Sequence, residues 1–280
     1  MALGLTTAFL IVEVIGGLWT GSLALIADAA HMATDAGGLF LALLAIRFAE
    51  RPATPQLTYG YVRMEVLSAL TNAVVLLLVT AYILYEAYER IITPPEIIAG
   101  PMLVVAIIGL CVNLISMKLL SAGSSESINL KGAYFEVLSD MLGSVGVIIA
   151  ALVVMLTGWT LADPIIGIGI GLFIIPRTWI LLKQAIHILM EGTPPDVDLR
   201  LVETKLLEID GVTAIHDLHV WTITSGIDAM SCHLVIADMA QNRATLAAAR
   251  TVMASEFKID HVTIQIEDLA LRNTEKPSAI

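Results

Sequence analysis

Six apolar stretches, at about residues 3–20, 22–46, 64–88, 99–120, 133–156 and 161–185, dominate this chain. Each is long enough to cross roughly 30 Å of hydrocarbon as a helix. Hydrocarbon supplies no water to backbone N–H and C=O groups, so such stretches fold as helices that close their hydrogen bonds internally. A six-helix membrane bundle follows. Of 280 residues, 57% are hydrophobic and 15% charged, which is not the balance of a soluble domain. The first stretch begins at Met1 and reads as a span in its own right, because no short apolar core with a small-residue cleavage site precedes it.

Charge orients the bundle. Arg47, Arg51, Arg63, Lys118, Lys131, Arg177 and Lys183 sit at or near the even-numbered turnarounds or the exit of the sixth stretch, and Arg90 falls on the other side. The positive-inside rule then places both termini in the cytoplasm, with a bacterial inner (plasma) membrane as the expected location. A net charge of −11 argues against nucleic acid and makes cations the natural ligands. Cys111 and Cys232 have no spacing that suits zinc or a disulfide framework.

The composition changes after Glu191-Gly-Thr-Pro-Pro. Residues 1–190 read as the transmembrane domain, 196–268 as a small soluble domain and 269–280 as a disordered tail. Periodicity predicts a helix over 198–210, strands over 212–223 and 227–237 around a Ser225-Gly226 turn, a helix over 241–257 and a strand over 261–267. That α-β-β-α-β order is an α+β sandwich resembling metallochaperone domains. The fold class is thus an all-α membrane domain followed by a cytoplasmic α+β domain.

Ionisable side chains inside a bilayer are costly and mark function or pairing. HMATD puts His31 and Asp35 one turn apart on one face of the second stretch, and FEVLSDMLGS does the same with Glu136 and Asp140 in the fifth. At about 1.5 Å per residue, counted from opposite membrane faces, the first pair lies roughly 13–20 Å deep and the second roughly 8–14 Å. The two pairs can therefore meet near mid-membrane. One imidazole and three carboxylates make a four-ligand site for Zn²⁺ or a similar borderline cation. The same residues also read as polar packing groups hydrogen-bonded across the bundle.

Asp28, one turn before His31, reads as a group supporting the ligands, an entrance charge, a helix-packing residue or a solvated end. Glu13, Glu65, Asn72, Glu86 and Asn113 have no ligand partner at helical spacing of the kind the two pairs show, and read as interhelical hydrogen-bond groups or solvated ends. Small residues in the fifth and sixth stretches (Gly143, Ser144, Gly146; Gly167, Gly169, Gly171) favour close helix contact. In the tail, His216, His219, His233 and His261 are four of the chain's six histidines. On a regular strand His216 and His219 have opposite parity, so they face opposite sides and do not share an ion unless a bulge intervenes. Cys232 alternates toward the core.

Taken together, SLALIADAAHMATD, YGYVRMEVLSALTNA, GAYFEVLSDMLGSVGVIIAA and HDLHVWTITSG resemble the cation diffusion facilitators, which export divalent metals in exchange for protons. Many relatives carry His at the position of Glu136. The Glu variant, with LMEGTP and HVTIQIE, resembles the cobalt-zinc-cadmium resistance subgroup. The resemblance implies a transport site at His31, Asp35, Glu136 and Asp140, with Zn²⁺, Cd²⁺ or Co²⁺ as the carried ion and no catalytic cofactor. It implies a second, cytoplasmic metal site at His216, His233 and Glu267, with Gln265 where some relatives have a further His. A homodimer is implied, with Arg63 and Glu191 as a charge pair at the cytoplasmic helix ends; an exposed pair of little consequence is the other reading. The stretches TPQLTYGYVR and SAGSSESINL lack the histidines that some relatives carry there, so no metal-collecting loop is expected.

An empty site of three carboxylates and an imidazole must share protons, which an arriving metal displaces. That is the logic of antiport. An intramembrane metalloprotease would need HExxH or an equivalent base, which the sequence does not contain. A membrane-anchored, metal-responsive signalling scaffold is the other alternative, and an anchor has no need of a buried tetrad.

Overall fold

The computed structural model describes the backbone of residues 2–121 and 128–274, and the side chains of these except 2, 3, 5, 120, 121 and 128–136. Six long helices come first: α1 (Ala2–Thr20), α2 (Leu23–Ala49), α3 (Met64–Ile92), α4 (Ala99–Ser121), α5 (Ile128–Thr157) and α6 (Ala162–Leu189). Among the described residues, α2 to α6 each hold a stretch long and apolar enough to cross a membrane, and α1 contributes the shorter apolar run Thr6–Thr20. Gly21 and Gly158, both in the left-handed region, end α1 and α5 where a side chain would clash with its own backbone.

The chain divides into two compact units. The first holds α1, α4 and α5 with most of α2, α3 and α6; the second holds Ala45–Leu67 and the chain from Lys183 onward. In the first unit, Phe9, Leu25, Met102, Val105, Val147 and Val154 fill a core between α1, α2, α4 and α5. Large apolar side chains such as Ile15, Leu18, Trp19, Phe40 and Leu78 stand on the outside. In water they would form a sticky patch, whereas in hydrocarbon they are solvated. Small residues let the helices close up: a Cβ on Gly109 would meet Phe9 at 2.5 Å, and one on Gly143 would meet the Asp28 carboxylate at 2.6 Å. Gly146, Gly167 and Gly171 also face neighbours, while Gly169 faces open space.

The first turn of α2 is capped from another helix. Asp163, at the start of α6, accepts hydrogen bonds from Ser22 Oγ (2.5 Å) and from the backbone N–H groups of Leu23 (2.7 Å) and Ala24 (3.2 Å). A carboxylate there satisfies orphan donors and meets the positive end of the helix dipole.

The tail follows the expected order. α7 (Leu199–Leu207) is capped by Asp198, whose side chain accepts from the Arg200 N–H. β1 (Val212–Thr224) and β2 (Ile227–Ile236) form an antiparallel hairpin through Gly226 in the left-handed region. A 3₁₀ turn (Met239–Gln241), α8 (Asn242–Glu256) and β3 (His261–Glu267) complete it, with β3 parallel to β2 and the sheet ordered β1-β2-β3. Val202 and Leu206 of α7, Ala249 and Met253 of α8, and Val220, Met230, Cys232 and Leu234 of the sheet form its core. Cys232 is a core residue, as its alternation predicts. Within the stretch expected to be disordered, Leu269–Arg272 is a short helix, α9, capped by Asp268. Residues 275–280 lie outside the described residues.

Two candidate metal centres

The first centre lies in the helical unit. His31 on α2 stands between two carboxylates: its Nδ1 is 3.4 Å from Asp35 Oδ2 one turn along the same helix, and its Nε2 is 3.9 Å from Asp140 Oδ1 on α5. His31 and Asp140 are largely enclosed, with side chains 12% and 9% exposed, and Asp35 is more open at 33%. The His31 carbonyl also accepts from Thr34 Oγ1 at 2.7 Å. Three of the four expected ligands thus come together. Glu136 lies one turn before Asp140 on α5, and its side chain is outside the described residues.

Ligand atoms about 2.0–2.1 Å from a tetrahedral ion are roughly 3.3 Å apart, and because the two carboxylates face different nitrogens of the ring, only one of these separations can lie between two ligands of a single ion. The ring has one nitrogen toward each carboxylate. A metal takes one of those nitrogens as a lone pair, and the other then keeps its N–H for a carboxylate, the usual way a ligating imidazole is oriented.

Glu13 on α1 and Asp28 on α2 are buried, 1% and 2% exposed, and Glu13 Oε2 and Asp28 Oδ2 have no hydrogen-bond partner among the described residues. Sequence reasoning read Glu13 as an interhelical group or a solvated end and left Asp28 with several roles; the burial of both rules out a solvated end. Asn113 Nδ2 donates to Ser144 Oγ (3.3 Å) between α4 and α5, as expected of an interhelical polar group. Glu86 pairs with Arg90 at 3.0 Å, and Arg90 also donates to the Gly21 carbonyl. Asn72 packs against Gly38, where a Cβ would come within 2.5 Å of its amide.

The second centre is in the tail. His216 and His233 face each other across the β1–β2 ladder, and β3 brings Glu267 alongside. His216 Nε2 lies 3.0 Å from Glu267 Oε2 and His233 Nδ1 lies 2.7 Å from Oε1, so one donor atom from each residue falls within 4.8 Å of the others. The two rings meet edge to face at 4.8 Å. Gln265 donates to Glu267 Oε1 at 2.7 Å, so it supports the carboxylate. Burial opposes ionisation of Glu267, but hydrogen bonds from His216 and Gln265 and the nearby imidazoles outweigh it, holding the carboxyl below its usual range.

A bulge does intervene between His216 and His219. Asp217 adopts a left-handed φ of 55°, and His219 pairs with Ser231 while His216 pairs with His233, so both histidines share a face. His219 is not in the triad; it contacts Asp217 at 3.5 Å, and the other oxygen of Asp217 is 3.9 Å from His233 Nε2. His261 is exposed at the start of β3. Within the same unit, Arg63 and Glu191 form an ion pair at 3.0 Å, and Thr224 at the end of β1 donates to Glu65 Oε2 at 2.9 Å.

Residues 1–190 match the cation efflux transmembrane domain, and residues 194–269 match the cation efflux protein cytoplasmic domain. The chain is 52% identical to the metal cation efflux system protein CzcD of Cupriavidus metallidurans, over 95% of this chain and 85% of that one. It is 41% identical to a cadmium, cobalt and zinc/H(+)-K(+) antiporter of Bacillus velezensis, over 94% of this chain and 86% of the other. Among solved structures, the metal-bound C-terminal domain of the CzcD transporter from the same Cupriavidus species is 41% identical, with a TM-score of 0.24, covering 25% of this chain and 99% of that domain.

Proposed function

Because the chain belongs to the cation efflux family, we propose that it exports divalent metal cations, Zn²⁺ together with Cd²⁺ and Co²⁺, by proton antiport through His31, Asp35, Glu136 and Asp140. It is a secondary transporter, not an enzyme. It works as a homodimer in a bacterial inner membrane with both termini in the cytoplasm, as the positive-inside distribution supports.

The observation that carries this reading is His31 held between Asp35 and Asp140. An imidazole that donates at both nitrogens carries a proton, and one that binds metal has given it up. Proton and metal therefore compete for the same lone pair. Competition of that kind favours metal loading from a near-neutral cytoplasm and release into a more acidic exterior. Rocking of the helices opens the site to one side at a time.

The tail triad, His216, His233 and Glu267, is read as a regulatory metal site. Two nitrogens and an ionised oxygen from three neighbouring strands suit Zn²⁺, with a coordination position left over. The test of the transport reading is zinc flux in liposomes carrying the full chain. A proton gradient opposed to zinc movement is expected to accelerate it, and equal rates with and without the gradient would remove antiport.

A further inference from the structure

The bulge in β1 does more than bend the strand. On a regular strand His219 would face away from the triad, but the left-handed residue at Asp217 turns it to the same face as His216 and His233. The carboxylate of Asp217 then stands between two imidazoles. Its Oδ1 is 3.5 Å from His219 Nε2, and its Oδ2 is 3.9 Å from His233 Nε2. A residue other than glycine is costly to hold in that conformation, and such residues gather where a site makes use of them.

Five side chains thus form one row of alternating imidazoles and carboxylates: His216, Glu267, His233, Asp217 and His219. His233 is the link, with Nδ1 2.7 Å from Glu267 Oε1 and Nε2 toward Asp217. A ligating imidazole binds its ion through one nitrogen and directs the other, as N–H, at a carboxylate. When His233 serves the triad through Nδ1, its Nε2 points at Oδ2 of Asp217, and Oδ1 faces His219.

The 3.5 Å between Asp217 Oδ1 and His219 Nε2 is close to the roughly 3.3 Å that separates two ligands of a tetrahedral ion. The two side chains are 32% and 44% exposed, against 0% for Glu267, so water can fill the remaining coordination positions. In the ladder His219 pairs with Ser231, and Ser231 with Thr263, so its neighbours in that row of the sheet are neutral hydroxyl residues. One oxygen and one nitrogen donor with water around them suit a borderline divalent cation such as Zn²⁺ or Co²⁺.

We propose that Asp217 and His219 form a second divalent-cation position in the tail, beside the triad and joined to it through His233. This rests on the triad reading above. With two protein donors in place of three, and more water around them, it is the weaker of the two tail positions and fills after the triad as metal concentration rises. The tail then registers two levels of metal instead of one.

The test uses the full chain in detergent, with Zn²⁺ as probe, and counts bound ions per protomer by equilibrium dialysis. Wild type is compared with His219→Ala, Asp217→Asn and Glu267→Gln. Asparagine tolerates the left-handed conformation, so Asp217→Asn removes the charge, keeps the bulge and stands in should His219→Ala fail to fold. Each of these two variants is expected to bind one ion fewer than wild type, the loss falling on the weakest binding step. His219→Ala is expected to hold the triad ion within about threefold of the wild-type affinity. An unchanged ion count in either variant overturns the proposal. So does loss of the triad ion in His219→Ala, which would make Asp217 and His219 supports for His233. Glu267→Gln reports separately on the triad: if it keeps the tight tail ion, the triad reading fails, whatever the His219 variant does.

Discussion

The two candidate metal centres of this protein use the same donor chemistry on different scaffolds. In the helical unit the ligands come in i, i+4 pairs from α2 and α5, and His31 stands 3.4 and 3.9 Å from its carboxylates. In the tail they come from three neighbouring strands, and both histidines reach Glu267 within 3.0 Å. Strands in a ladder are fixed to one another by backbone hydrogen bonds, so the tail triad is preassembled. Helices pack through side chains alone, so a ligand set split between two of them can be pulled apart by a small slide or tilt. A carrier must release its ion, and a sensor must hold its ion and change shape around it. The looser geometry suits the transport role proposed for the helical centre, and the tighter one the regulatory role proposed for the tail.

The largest expected effect tests that division at its root. Asp35→Ala or Asp140→Ala abolishes proton-driven zinc flux while the protein still inserts and dimerises, read by flux in liposomes and by size in detergent. Near-normal flux in either variant would break the comparison, because the helical centre would then not be the carrier site. In the tail, His233→Ala lowers transport without eliminating it and weakens metal binding there. Complete loss of flux would mean that the tail centre lies on the transport path.

Glu136→His sharpens the comparison inside the bilayer. With Glu136 the deprotonated tetrad carries three negative charges, and with His two, while an oxygen donor becomes a nitrogen. The variant is expected to favour Zn²⁺ over Co²⁺ and to shift the pH profile of flux. A side-by-side series of Zn²⁺, Cd²⁺ and Co²⁺ between about pH 6 and 8 reads this out. An unchanged ranking and profile removes Glu136 as the selectivity determinant.

The smallest effect is on tail stability. The carboxyl of Glu267 is held below its usual value of 4.5, so its contribution is fully present above that pH and is lost as pH falls through the lower folded value. Acid unfolding of the tail, followed by circular dichroism of the full chain, should lose this component in Glu267→Gln. An identical acid limb in wild type and variant would mean that the carboxylate is not held ionised by its neighbours.

Helical periodicity made the spans and the His31–Asp35 pair legible, because residues four apart share a face whatever surrounds them. It could not reveal the capping of α2 by Asp163 from a position 140 residues away, since that does not depend on local spacing. Strand parity placed Cys232 in the core, yet it put His216 and His219 on opposite faces. The left-handed residue at Asp217 inserts one extra position and reverses that parity. Aspartate tolerates that conformation better than most residues, but nothing in HDLHVWT announces that it is used there.

Asp163 gives α2 a pivot. Its carboxylate holds the first turn of that helix through one hydroxyl and two backbone donors. His31 lies eight residues from Leu23, roughly 12 Å along the axis, and Ala49 lies roughly 39 Å along it. A tilt of about 10° around the anchored end would carry His31 by roughly 2 Å and the far end by roughly 7 Å. Tilted in this way, α2 would act as a lever with its fulcrum at the end held by Asp163: a displacement of several ångströms at its long arm would be geared down to roughly 2 Å at His31.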